Sequence, residues 1–313
     1  MHRICIAVLL SIVFLSGYGQ AQETNQVRPD HLRPADVDFS LLLHLAKIYE
    51  SVRYQTPEDI SRLWSGTYRD MNVVEIPQTK CRYFIGTRRD EPTQEIVIRG
   101  TANWKNAVYD FEHSKVWDSR LGINLHHGFR TTALSVYEDV TRFLRKDCSI
   151  VLTGNSLGAA TALILAVYLD LDAYVIESVI TFGQPKVTDA DGAACFRHLP
   201  LLRVVDANDL VPHFPKSGPT LYPERPYLHV GPELTLLDCV YCCFRDEFEI
   251  FDGPDENLAY ALRSQGLRAD LSEHRIGSSI TRLEPKIKEV VYVPYVEREQ
   301  YVGIQCASDT AGP

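Results

Sequence analysis

Thr153-Gly154-Asn155-Ser156-Leu157-Gly158-Ala159-Ala160 stands where a short β-branched run, Ser149 to Thr153, gives way to Ala159 to Leu169, which is apolar enough for a buried helix. A serine on a sharp strand-to-helix turn, a nucleophile elbow, needs residues without side chains two places before and after it, because a Cβ there would strike the neighbouring backbone. Gly154 and Gly158 occupy those two places. The pattern is short, so its context carries the weight: a strand before it and a small-residue helix start after it.

The flanking sequence repeats the same alternation. Phe129, Ala133, Val136, Tyr137, Val140, Phe143 and Leu144 recur at helical spacing ahead of the central strand, while Ser178 to Phe182 and Leu201 to Val205 read as further core strands. Helix, strand, helix in that order predicts an α/β fold with a mostly parallel central sheet covered on both faces. Upstream, Cys81 to Ile85 and Glu95 to Arg99 flank the polar turn Thr87 to Pro92 and read as a hairpin. Phe39, Leu42, Leu43, Ala46 and Tyr49 make 38 to 52 an amphipathic helix with a buried stripe. With 313 residues, 45% of them hydrophobic and 23% charged, and with no Gly/Ser/Pro-rich linker or repeat, one globular unit over 22–313 is expected.

Charge and cysteines narrow the function classes. Lys and Arg total 32 against 41 Asp and Glu, a net charge of −9, which argues against a nucleic-acid partner held by counterion release. Residues 1–21 read as a signal peptide: Arg3, the apolar Ile4 to Leu15, and small residues Gly19 and Ala21 before a cleavage point, which predicts a secreted or periplasmic product. As a helix, Ile4 to Leu15 reaches about 18 Å, short of a ~30 Å hydrocarbon core, so a retained membrane anchor is the weaker alternative. Of 8 cysteines, Cys5 lies in that leader; Cys81, Cys148, Cys195, Cys239, Cys242, Cys243 and Cys306 remain, an odd set that leaves at least one thiol unpaired within an exported chain. Cys239-Val240-Tyr241-Cys242-Cys243 has no second Cys/His pair at metal-site spacing, so disulfides or buried thiols are expected there and no metal.

A serine hydroxyl needs a base, and the base a group that fixes its tautomer. Hydrolases built on this elbow carry the acid and then the histidine after the serine. The histidines that follow are His198, His213, His229 and His274; Asp209 lies in the loop after a core strand, with Asp206 as its rival nearer the strand end. His213 is too close to Asp209 to bridge, and His229, His126 and His127 read as packed structural histidines.

At this point the chain resembles the class 3, fungal-lipase-like branch of the α/β-hydrolases. Arg99-Gly100-Thr101 with Trp104 to Asp110, His126-His127-Gly128-Phe129, Thr181 to Val187, Arg203 to His213, Tyr227 to Gly231 and Glu273-His274 are similar to its blocks, in family order across residues 95 to 275. The resemblance implies Ser156 as nucleophile, Asp209 as orienting acid and His274 as base, with the Leu157 and Thr101 N–H groups as oxyanion donors and the Thr101 hydroxyl as a further one. It also implies a lid over Asn103 to Val116, whose Trp104, Val108 and Phe111 give a short helix an apolar face. The chain departs from the family at Asn155, where His is common, at Gly158-Ala159 for Gly-Gly, at Glu273 for Asp, and at Gly277 for an aromatic. Residues 239–268 and the tail 290–313 have no counterpart. The implied activity is acyl-enzyme hydrolysis of acylglycerol esters, with a lipid or ester substrate and no cofactor; the alternatives are a phospholipase A1, a short-chain carboxylesterase, or a hydrolase-like binding protein for an apolar ligand.

Overall fold

The computed structural model describes residues 32–100, 114–215, 226–246 and 274–306. The leader therefore lies outside the described residues, as do Thr101 and most of the expected lid. Among the described residues one sheet of nine strands runs in the order β1 (Tyr68–Ile76), β2 (Cys81–Arg88), β3 (Thr93–Arg99), β6 (Ser149–Asn155), β7 (Ile176–Phe182), β9 (Leu201–Asp206), β11 (Glu233–Leu236), β12 (Tyr241–Arg245) and β13 (Val291–Tyr292). Neighbours from β3 through β11 are parallel, β1, β2 and β3 are antiparallel, and β12 pairs antiparallel with β11 but parallel with β13. A smaller antiparallel sheet joins β10 (Tyr227–Leu228), β8 (Thr188–Asp189), β5 (Ile123–His126) and β4 (Lys115–Asp118).

Helices cover both faces of the large sheet, as its continuously apolar central strands require. On one face α3 (His127–Val140) and α4 (Leu157–Leu171) pack over Ile96, Ile98, Ile150 and Leu152; on the other α1 (Phe39–Tyr54) and α6 (Ile276–Lys286) pack over Val97, Val151, Ile180 and Val204. The short α2 (Pro57–Trp64) and α5 (Ala190–Ala193) complete the set. Every residue of α4 from Gly158 to Leu169 is buried, which explains a helix apolar all the way round. The Asp38 carboxylate caps α1, accepting from the Ser40 and Leu41 N–H groups at 2.8 and 3.1 Å.

Several expectations shift. The buried stripe of α1 is Phe39, Leu42, Leu45, Ala46, Ile48, Tyr49 and Val52, whereas Leu43 is only half-buried. The hairpin runs further than expected, since Thr87 and Arg88 still belong to β2. The helix of 129 to 144 ends at Val140 and passes into a 3-10 turn, Thr141–Phe143. Lys115 and Val116, expected at the end of a lid, open β4 instead, where Lys115 Nζ meets the Asp189 carboxylate at 3.0 Å.

The cysteine-rich segment extends the sheet. Cys239 is disulfide-bonded to Cys306, Cys242 and Cys243 are buried thiols on β12, and Cys81, Cys148 and Cys195 are also thiols. Lys286 Nζ donates to the carbonyls of Leu237, Cys239 and Arg282 at 2.8–2.9 Å, tying α6 to the disulfide loop. Arg203 on β9, fully buried, meets Glu233 on β11 at 3.0 Å, and Arg245 on β12 meets the other Glu233 oxygen at 2.6 Å. Burial opposes ionisation there, yet the two guanidiniums hold the Glu233 carboxyl down to about 2. This locks in register the strand whose far end bears the candidate acid.

Candidate active site

Ser156 sits between β6 and α4 at φ 60°, ψ −129°, left-handed backbone that a non-glycine residue adopts at a cost. The two glycines make the turn possible. A Cβ on Gly154 would stand 2.4 Å from the Gly158 carbonyl, and one on Gly158 would stand 2.1 Å from the Ile98 carbonyl oxygen. The turn is anchored to β7: the Ser156 N–H donates to the Phe182 carbonyl at 3.0 Å, and Asn155 Nδ2 donates to the same oxygen at 3.3 Å. Asn155 therefore holds the elbow in place.

The acid and base meet beside that anchor. His274 Nδ1 and Asp209 Oδ2 are 2.8 Å apart, and Asp209 Oδ1 accepts from the Val211 N–H at 2.9 Å. Ser156, Asp209 and His274 are 7%, 3% and 4% exposed, so the whole group is shielded from water. A carboxylate at that distance favours the imidazole tautomer with its proton on Nδ1. Asp206, the rival, is occupied elsewhere: it accepts from Ser279 Oγ at 2.5 Å and from Arg282 Nη1 at 3.2 Å, both on α6. It fastens the helix that follows His274.

The remaining histidines take structural places. His198 Nε2 meets Asp170 at 2.9 Å, and His126 stacks on Phe129 with ring centroids 4.0 Å apart. His229, one residue beyond β10, meets the Pro212 carbonyl at 2.7 Å; burial, with Arg203 and Lys186 nearby, holds its ring well below the usual histidine range. His213 lies in the 3-10 turn Val211–His213, in the acid-bearing loop. Of the expected oxyanion donors, the Leu157 N–H lies at the first turn of α4, where backbone N–H groups have no intrahelical acceptor.

Gly183 was not singled out by the sequence reading, although it falls inside the Thr181 to Val187 block. It follows Phe182 at φ 51°, and a Cβ on it would stand 2.6 Å from Asp209 Oδ2 and 2.8–2.9 Å from the His274 ring. The residue that continues the elbow's anchor thus packs its bare α-carbon against the acid–base pair. Gly183→Ala is expected to lower kcat by about 100-fold, the cost of an ångström-scale displacement at a reacting centre. Steady-state kinetics beside a thermal melt checks this; an unchanged kcat would show that the pair tolerates the displacement.

A family model described as Lipase (class 3) matches residues 95–218, from β3 through the acid-bearing loop. Over that segment the chain is similar to the class 3 lipases. The chain is 26% identical over 209 residues to a lipase of Rhizomucor miehei, an alignment covering 61% of the chain and 52% of that protein. It is 30% identical over 169 residues to the secreted mono- and diacylglycerol lipase 1 of Fusarium solani, covering 47% and 45% of the two chains. The chain spans about half the length of these curated relatives. The crystal structure of Lip2 lipase from Yarrowia lipolytica superposes with a TM-score of 0.52 at 18% identity, over 68% of this chain and 82% of that one, a likeness of fold. The fold of this chain is thus the α/β-hydrolase arrangement expected from the sequence.

Proposed function

We propose that the protein is a serine ester hydrolase that cleaves acylglycerol esters through an acyl-enzyme. The observation that carries this reading is the Asp209–His274 pair seated against Gly183, one residue from the carbonyl that anchors the strained Ser156 turn. Ser156 attacks the acyl carbon while Nε2 of His274 takes its proton, and Asp209 stabilises the resulting imidazolium. The Leu157 N–H, together with the Thr101 N–H and hydroxyl, receives the oxyanion; the imidazolium then protonates the departing alcohol, and water repeats the sequence on the acyl-enzyme.

The acylglycerol preference draws support from the names of the relatives, lipase and mono- and diacylglycerol lipase. Export by a cleaved leader over residues 1–21 is part of the proposal, and the Cys239–Cys306 disulfide fits an oxidising compartment. No helix among the described residues is long and apolar enough to cross a membrane.

A fluorophosphonate probe tests the core of the reading. One adduct per folded chain is expected, mapped to Ser156 by mass spectrometry and lost in Ser156→Ala. A folded wild-type protein that takes no adduct would instead be an apolar-ligand binder. Rates on emulsified long-chain acylglycerols, phospholipids and dissolved short-chain esters then separate lipase from phospholipase A1 and carboxylesterase.

A further inference from the structure

His274 stands two residues before α6, so the placement of that helix sets the chain on one side of the base. α6 buries Ile276 and Leu283 in the core, and apolar packing of this kind has little directional preference. Rotation and sliding of the helix are therefore left to its polar ties. Arg282 makes two of them at once: Nη1 donates to Asp206 Oδ1 at 3.2 Å, at the end of β9, and Nε donates to Asp238 Oδ1 at 3.1 Å, in the loop between β11 and β12. Asp238 is in turn held by a segment far along the chain. Its other oxygen accepts from the Gly303 N–H at 2.6 Å, and its own N–H donates to the Tyr301 carbonyl at 3.2 Å. The Tyr241 and Tyr301 rings lie 4.5 Å apart beside these contacts. The next residue, Cys239, closes the junction covalently through its disulfide to Cys306, and its carbonyl accepts from Lys286 of α6 at 2.8 Å. Cys306 is exposed and Cys239 half-buried, whereas Cys81, Cys148, Cys242 and Cys243 are buried. An exposed disulfide is open to attack by a thiolate.

We propose that Asp238 is a positioning residue for His274, and that the Cys239–Cys306 disulfide is a redox-sensitive brace keeping Asp238 on Arg282. With the bond intact, Asp238 fixes the slide of α6 behind the base. With it reduced, the segment bearing Tyr301 and Gly303 is freed, Arg282 loses its fixed partner, and the imidazole loses its alignment with Asp209. The reductant is a dithiol: one thiolate attacks a disulfide sulfur, the S–S bond breaks as a mixed disulfide forms, and the second thiol of the reductant resolves it. Two electrons and two protons pass to Cys239 and Cys306, which become thiols, and the reductant closes to its own disulfide. The inference rests on the serine-hydrolase reading.

The test assays the full chain on a dissolved p-nitrophenyl ester, well below its melting temperature, before and after dithiothreitol. Reduction is expected to lower kcat by about 3- to 30-fold with KM within about twofold, and reoxidation to restore it. A Cys239→Ser/Cys306→Ser variant should show the lower kcat from the outset and not respond to dithiothreitol. Asp238→Ala, with the disulfide intact, should lower kcat by a similar factor, and adding it to the double serine variant should change little further, since both act through one contact. A melting temperature that falls on reduction while kcat is retained would overturn the inference, because the disulfide would then serve the fold alone. So would a kcat lost on reduction but retained in Asp238→Ala. Should the reduced chain unfold, Asp238→Ala decides by itself, an unchanged kcat overturning the inference and a lowered kcat at constant KM supporting it. If oxidised wild type takes no fluorophosphonate and hydrolyses no ester, the hydrolase reading fails and this inference with it; if it is active and indifferent to both dithiothreitol and Asp238→Ala, only the brace fails.

Discussion

His274→Ala is expected to lower kcat by about 10⁶-fold, because without a base the serine proton has no acceptor and the nucleophile and base act as one unit. The loss should appear equally in kcat/KM, since substrate binding does not require the imidazole. Fluorophosphonate labelling should slow in parallel. The substitution also leaves Asp209, only 3% exposed, with the Val211 N–H but without its Nδ1 donor, so a destabilisation of about 1–3 kcal/mol should accompany it. Single-turnover kinetics on a dissolved ester, with thermal unfolding of the same preparation, separates the two effects. A folded His274→Ala protein retaining even a hundredth of wild-type kcat would remove His274 from the mechanism and turn attention to His213, in the acid-bearing loop.

The parts of this site that could be read from the sequence are those where chemistry leaves a backbone signature. Gly154 and Gly158 announce the elbow because steric exclusion at 2.1–2.4 Å admits no other residue without movement. The central strands were legible for a related reason: buried on both faces, Ile150 to Thr153 and Val179 to Phe182 are apolar or β-branched throughout. β1 was not, because it is an edge strand with Arg69, Asp70, Asn72 and Glu75 along it, a register shift between Arg69 and Asn72, and Asp70 at φ 51°. Such a strand has neither strict alternation nor a continuous apolar run. The strands of the small sheet are too short to show a period, and the cysteines of 239–243 drew the reading toward sulfur chemistry when their main structural product is β12.

Partnerships across long stretches of chain were beyond the reach of spacing alone. Asp209 and His274 are joined by a fold, and the pairing was legible through family resemblance; the residues alone left Asp206 and Asp209 as rivals. What separates them is side-chain direction at the end of β9, with Asp206 turned to α6 and Asp209 turned to the imidazole. Gly183 escaped notice because its role is an absence, a missing Cβ at positive φ, which a sequence shows only as one of 18 glycines.

That division of labour between two neighbouring carboxylates makes the second large prediction. Asp209→Asn is expected to lower kcat by about 10⁴-fold with the fold intact, because an amide can donate to Nδ1 and so stabilise the tautomer whose proton sits on Nε2, the nitrogen that must accept from serine. Asp206→Asn should behave in the opposite way. It weakens the hold on Ser279 and Arg282, and Arg282 keeps Asp238 at 3.1 Å, so the expected cost is about 1–3 kcal/mol of stability while kcat falls far less than in Asp209→Asn. Measured side by side, the pair distinguishes an acid that orients the base from one that anchors the helix behind it. A 10⁴-fold loss in Asp206→Asn with near-wild-type turnover in Asp209→Asn would reverse the assignment and require His274 to swing to the end of β9.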